Sequence, residues 1–280
     1  MLSKPENSFR VLFLGDLVGA PGCGMLQKHL PKLKQELALN AVLVNGENSA
    51  HDGKGITTRT MKFFKHNGVD LVTSGNHIWQ KREIYAYLNE HKDLIRPANF
   101  PAGCPGVGSA TFTSGHYTVG VINLQARTFM HQQVGCPFKT ADSILTYLKT
   151  KTNIILVDFH GEATAEKLGL AYYLDGQVSA VVGTHTHVPT ADERILPNGT
   201  AYVTDLGMAG ALNSMIGMKK EPLIQSMLLQ MPTKFEVDTQ APLWMTGVVI
   251  DIDPATGKAL AIERIKIVDH EFTLDHTQEY

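Results

Sequence analysis

Cysteine is scarce: Cys23, Cys104 and Cys136 are the only ones in 280 residues. Odd in number, far apart and without a Cys-x-x-Cys pair, they offer no disulfide framework. Charge of one sign is also missing, since 25 Lys and Arg face 27 Asp and Glu and leave a net charge of -2. No basic stripe breaks that balance, so there is no strong nucleic-acid signal and no field toward an anionic membrane; any phosphate must be gripped locally. Long apolar runs are absent too. Val11-Leu12-Phe13-Leu14 is soon interrupted by Asp16, too short for a signal-peptide core or a membrane span. What remains is a globular chain expected in the reducing cytoplasm, with 43% hydrophobic residues to build a core. One domain spanning residues 1–280 is the simplest count, and a homo-oligomer is left open.

Short apolar or β-branched runs recur at Phe9 to Leu14, Val42 to Asn45, Asp70 to Thr73, Asn153 to Asp158 and Val178 to Val182. Amphipathic stretches lie between them, at Met25 to Leu39, Thr57 to His66 and Ala141 to Lys149. The alternation predicts an α/β fold, with Pro31 breaking or restarting the first helix. Hairpins are expected around Ser114-Gly115-His116 and Pro197-Asn198-Gly199-Thr200, and between Leu243 to Asp251 and Ala259 to Ile267. Antiparallel additions to parallel runs imply mixed sheets.

Five polar segments each follow an apolar run: Gly15-Asp16, Gly46-Glu47-Asn48, Gly75-Asn76-His77, Asp158-Phe159-His160 and Gly183-Thr184-His185-Thr186-His187. Open α/β sheets build their sites at the carboxyl ends of strands, where these segments would lie. Asp16 and Glu47 bring anionic oxygens, Asn48 and Asn76 carbonyl oxygens, and His160, His185 and His187 imidazole nitrogens. Together they are enough for two metal ions, and no cysteine among them suggests a closed thiolate site. The glycines before Asp16, Glu47, Asn76 and Thr184 are expected to turn the backbone sharply out of the sheet. His185 and His187, two apart, would point the same way if that segment stays extended. Singly, Asp16 reads equally well as a cap, Asn48 or Asn76 as a partner for local backbone, and His160 as a core histidine. Their joint order favours a metallohydrolase.

The ordered set resembles the calcineurin-type metallophosphoesterases, with two departures: Val18 stands where a histidine is usual, and Glu47 where an aspartate usually bridges. Both departures suit one branch. Val44-Asn45-Gly46-Glu47-Asn48, Gly75-Asn76-His77-Ile78-Trp79, Arg96-Pro97-Ala98-Asn99-Phe100-Pro101, Asp158 to Thr164, Gly183 to Val188 and Asp205-Leu206-Gly207-Met208 resemble the YmdB-like family of cyclic-nucleotide phosphodiesterases. The likeness spans about residues 9–269 and implies a four-layer α-β-β-α sandwich with two mixed sheets. It implies that Asp16, Glu47, Asn48 and His187 hold one ion, that Glu47, Asn76, His160 and His185 hold the other, and that iron fills both. Manganese and zinc suit the same donors. His77 would stand beside the site as general acid, protonating the ribose oxygen of a 2',3'-cyclic nucleotide as hydroxide bridging the ions attacks phosphorus.

Arg96 and Arg127 are candidate phosphate contacts, and His131 a candidate pocket wall. Asp158 and Asp205 are candidates to orient ligand imidazoles, or ordinary strand-end caps. His29, His51, His66, His91, His116, His270 and His276 are expected to be solvated. Asp52-Gly53-Lys54-Gly55-Ile56-Thr57 lacks the order and spacing of a nucleotide triphosphate loop. Two rivals remain: a broader phosphomonoesterase or phosphodiesterase, and a regulatory binding protein that keeps the metal site.

Overall fold

The computed structural model describes residues 4–274, so His276 lies outside the described residues. Strands and helices are numbered along the chain. One six-stranded sheet contains β1 (Phe9–Leu17), β2 (Ala41–Asn45), β3 (Leu71–Thr73), β10 (Met208–Ala211), β11 (Leu243–Ile252) and β12 (Ala259–Asp269), ordered β12-β11-β10-β1-β2-β3. The second contains β4 (Ser109–Ser114), β5 (Tyr117–Gln125), β6 (Ile154–His160), β7 (Ala180–Thr184), β8 (Arg194–Ile195) and β9 (Ala201–Val203), ordered β4-β5-β6-β7-β9-β8. β10, β1, β2 and β3 run parallel, as do β5, β6, β7 and β9. The other pairings are antiparallel, including all three expected hairpins.

Alternation along β1 explains the layering. Phe9, Val11 and Phe13 face the second sheet and meet Val119, Val121, Leu156 and Val182 in one core. Leu12 and Leu14 face the opposite way, against α1 (Gly19–Glu36), α2 (Thr58–His66) and α3 (Ile84–Glu90). On the far side of the second sheet, Ile122, Leu124, Ile155 and Val157 pack on α4 (Pro137–Leu148) and α5 (Thr164–Tyr173). Strands covered on both faces have no polar face, so they read as continuous apolar runs. The result is the four-layer α-β-β-α sandwich. A sixth helix, α6 (Lys220–Leu229), follows β10. No helix among the described residues is long and apolar enough to cross a membrane.

Two local expectations are corrected. α1 begins at Gly19 and runs through Pro31 to Glu36 without a restart. Pro31 is exposed, so the carbonyl that loses its N–H partner one turn earlier can be met by water. His29 is not solvated: it is half-buried, with Nε2 3.0 Å from Asp269 Oδ2 on β12. His51, His66, His91, His116 and His270 are exposed, as expected.

α2 is started by a reciprocal cap. Thr57 Oγ1 accepts from the Thr60 N–H at 3.0 Å, and Thr60 Oγ1 accepts from the Thr57 N–H at 2.9 Å. Thr57→Ala should cost about 1 kcal/mol in urea unfolding, as loss of such caps typically does. A midpoint unchanged from wild type would show that the cap contributes nothing.

Candidate metal centre and active site

The carboxyl ends of β1, β2 and β3 in one sheet meet those of β6 and β7 in the other, and all five polar segments lie there. Asp16 is near the end of β1, Glu47 and Asn48 just beyond β2, Asn76 and His77 beyond β3, His160 at the end of β6, and His185 and His187 beyond β7. His160 Nε2 is central. It lies 3.2 Å from Glu47 Oε1, 2.9 Å from Asn76 Oδ1 and 3.1 Å from His185 Nδ1. On the other side, His187 Nε2 is 3.7 Å from Asp16 Oδ1, and the His185 N–H donates to Asp16 Oδ2 at 3.2 Å. The structure therefore brings Asp16, Glu47, Asn76, His160, His185 and His187 into one cluster, buried except for the half-buried Asn76 and His185.

Each ring is oriented by what its other nitrogen meets. The Thr184 hydroxyl donates to Asp158 Oδ1 at 2.7 Å, so it accepts from His160 Nδ1–H at 2.9 Å and leaves Nε2 for the cluster. Asp158 is itself held by the Thr73 hydroxyl and by Asn45 Nδ2. His187 Nδ1 donates to the Ile216 carbonyl at 2.8 Å, which turns Nε2 toward Asp16. His185 presents Nδ1 to His160, and its Nε2 lies 3.4 Å from Glu162. Thr184 and Glu162 had drawn no role from the sequence, although both sit inside motifs already singled out.

The expected geometry of the histidine pair is overturned. β7 stops at Thr184, and His185 and His187 have φ of 103° and 63°. The segment is bent, and the two rings reach different neighbours. Such φ values strain non-glycine residues and are kept only where surroundings enforce them. The strand-end glycines also act differently from expectation. Gly15, Gly46, Gly75 and Gly183 do not adopt positive φ; they leave room. A Cβ on Gly75 would lie 2.2 Å from His160 Nε2, and one on Gly183 1.8 Å from the Thr204 carbonyl oxygen.

His77 stands at the edge, its side chain 29% exposed. Its N–H donates to Glu47 Oε2 at 3.1 Å. Asn48 Nδ2 donates to the Gly53 carbonyl at 2.8 Å and to His77 Nδ1 at 3.1 Å. With Nδ1 accepting, the proton of a neutral His77 is on Nε2. Burial lowers the pKa of His77, against the pull of the Glu47 carboxylate.

The donors fit a cation on three observations. Asp16 Oδ1 and Asn48 Oδ1 are buried acceptors with no hydrogen-bond partner among the described residues, a costly condition unless something electropositive meets them. Glu47, His160 and His185 each offer a ligand atom within 4.8 Å of the others. Charge is uncompensated as well: burial pushes the Asp16 carboxyl well above its usual range. His160, despite burial that disfavours its charged form, is pushed up to about 9 by the neighbouring Glu47 carboxylate.

The two arginines are not alike. Arg96 is corrected as a phosphate contact: it is 8% exposed, and its guanidinium donates to the carbonyls of Pro97, Cys104, Pro105 and Gly106, clamping its own loop. Arg127 is exposed just beyond β5, with its backbone N–H on Glu166. His131 is exposed. Asp205 is buried and receives Lys167 Nζ at 2.7 Å and the Thr186 N–H at 3.1 Å, beneath the segment carrying both histidines.

A four-layer sandwich with histidines, carboxylates and asparagines gathered between its sheets is that of a hydrolytic phosphoesterase of the metallophosphoesterase class. A family model described as YmdB-like protein matches residues 12–265, and the chain belongs to that family. It is 46% identical over 260 residues to the 2',3'-cyclic-nucleotide 2'-phosphodiesterase of Bacillus subtilis, covering 93% of this chain and 97% of the relative. A crystal structure of a phosphatase from Mycoplasma pneumoniae superposes with TM-score 0.88 at 35% identity, over 94% of this chain and 95% of that one. A hypothetical protein from Thermus thermophilus superposes with TM-score 0.87 at 38% identity, over 93% and 100%.

Proposed function

We propose that this protein is a metal-dependent phosphodiesterase that opens 2',3'-cyclic nucleotides. The observation that carries the reading is the cluster around His160 together with the orphaned oxygens of Asp16 and Asn48. The activity for which the Bacillus subtilis relative is named supports the substrate class. Asp16, Glu47, Asn48 and His187 would hold one ion, and Glu47, Asn76, His160 and His185 the other. When bound, such a pair supplies an activated water and neutralises phosphate oxygens. Iron is the metal favoured by the family resemblance, with manganese and zinc suited to the same donors. The protein's own tasks are then to place the phosphate and to give the departing ribose oxygen a proton. His77 is the proton donor in its imidazolium form, giving up the Nε2 proton and leaving the neutral ring, and Arg127 is the phosphate contact. The free state of Cys23, Cys104 and Cys136 supports a cytoplasmic setting.

Purified protein loaded separately with iron, manganese and zinc, and checked by elemental analysis, should cleave 2',3'-cyclic AMP faster than 3',5'-cyclic AMP or a simple monoester, and lose activity on chelation. Equal rates across that panel would make it a broad phosphoesterase. Full metal occupancy with no turnover would instead favour a binding role.

Thr184 sets the tautomer of His160, and partners of ligand histidines are typically worth 10–100-fold in metal affinity. Thr184→Val should weaken metal binding by about that factor in a chelator competition. An unchanged affinity would mean that His160 needs no orienting hydroxyl.

A further inference from the structure

The loop after β5 carries a side chain for which folding has little use. Gln125 pairs in register with His160, and the Ala126 N–H donates to the His160 carbonyl at 2.9 Å, so the chain leaves the sheet immediately beside the cluster. The loop is pinned rather than loose. Glu166, in the first turn of α5, accepts from the N–H groups of Arg127 at 3.0 Å and Thr128 at 2.7 Å. Gln125 Nε2 donates to Gln132 Oε1 at 3.3 Å across the base, and Met130 packs on the helix-side core. At the tip, Phe129 adopts φ of 62° and is 82% exposed. A bulky residue in the left-handed region strains the backbone, and an exposed phenyl ring returns none of the stabilisation that burial would give. An anchored loop that holds an aromatic ring out at a site rim suits a ligand better than it suits the fold.

We propose that Phe129 is the base-stacking residue of this site, resting on the cyclic-nucleotide reading above. A cyclic nucleotide whose phosphate lies at the cluster carries its base away from it on the ribose, and a flat apolar ring at the rim offers that base a face. Arg127, two residues earlier in the same loop, is the phosphate contact proposed above. Stacking tolerates any base, because every base has a π-face. Phe129 therefore selects nucleotides over base-free cyclic phosphates, and discriminates little among bases.

The test compares metal-loaded wild type, Phe129→Ala and Phe129→Trp on 2',3'-cyclic AMP, 2',3'-cyclic UMP and the base-free glycerol 1,2-cyclic phosphate. Phe129→Ala should lower kcat/KM on both nucleotides by about 5- to 150-fold, the usual worth of one stacked base. The loss should appear mainly in KM, the base-free substrate should be unaffected, and Phe129→Trp should restore the nucleotides. Melting temperature should not fall in Phe129→Ala, which separates stacking from a structural role. Equal losses on all three substrates, or none on the nucleotides, would overturn the assignment while leaving the phosphodiesterase reading intact. Wild type inactive on both nucleotides would remove that reading, and Phe129's assignment with it.

Discussion

His77→Ala should lower kcat on 2',3'-cyclic AMP by about 10²–10⁴-fold, the range that one positioned proton donor contributes, with metal content unchanged. His77 is held by two neighbours: the Asn48 amide donates to the ring at Nδ1, and the backbone N–H of His77 donates to Glu47 Oε2. The backbone contact survives the substitution, and Asn48 Nδ2 keeps the Gly53 carbonyl. Metal loading is thus expected to persist, which removes the simplest indirect cause of lost activity. The leaving group supplies the sharper comparison. A ribose hydroxyl must be protonated as it departs, whereas p-nitrophenolate departs readily without help. On bis(p-nitrophenyl) phosphate, His77→Ala should therefore lose far less than on the cyclic nucleotide. A similar loss on both would assign His77 to binding or to site geometry. His77→Gln refines the result: it can offer an N–H but no transferable proton, so rescue by Gln would make hydrogen bonding, not proton transfer, the contribution of His77.

Why so much of this site was readable follows from where parallel strands put their ends. β1, β2, β6 and β7 are covered on both faces and stand out as apolar runs, and a polar residue directly after such a run has few places to go but the rim. The order of Asp16, Glu47, Asn76, His160 and His185 therefore carried the site without any contact being known. What stayed hidden depends on partners distant in sequence. Arg96 looks like a phosphate ligand until the carbonyls of residues 97–106 close around it. His29 meets Asp269, 240 residues away. Arg10, inside the first apolar run, is buried because its register partner Asp251 takes both ends of the guanidinium at 2.7 Å. The strand-end glycines were noticed, yet the reason for them lies across the molecule: room for His160 at Gly75 and for Thr204 at Gly183. Helix α1 starts at Gly19, ahead of the amphipathic stretch that begins at Met25, because tertiary packing overrides the weak helix propensity of Gly19 to Gly24, with its three glycines and a proline.

Lys167→Met should destabilise the fold by about 3–5 kcal/mol, the usual consequence of removing one member of a buried ion pair. In a chain of this size that is a fall in Tm on the order of 10 °C. In sequence Lys167 is an ordinary helix lysine; in α5 it is fully buried, with Nζ on Asp205 Oδ2 and on the Thr184 carbonyl at 2.9 Å. Asp205 in turn receives the N–H groups of Thr186 and Gly207. The pair thus grips the chain on both sides of His185, where φ is forced positive. Without Lys167 the aspartate is left buried with two backbone donors and no cation, and the strained residues lose one of the contacts that enforce their shape. Metal affinity should fall together with stability, by about 10–100-fold, because His185 and His187 are no longer pre-set. Lys167→Met combined with Asp205→Asn separates the two effects. Removing both charges should recover much of the stability, as replacement of whole buried pairs often does, but not the affinity, since the contact to the Thr184 carbonyl is still missing. If the single variant melts like wild type and retains its metal, the bent histidine segment is held by something other than this pair.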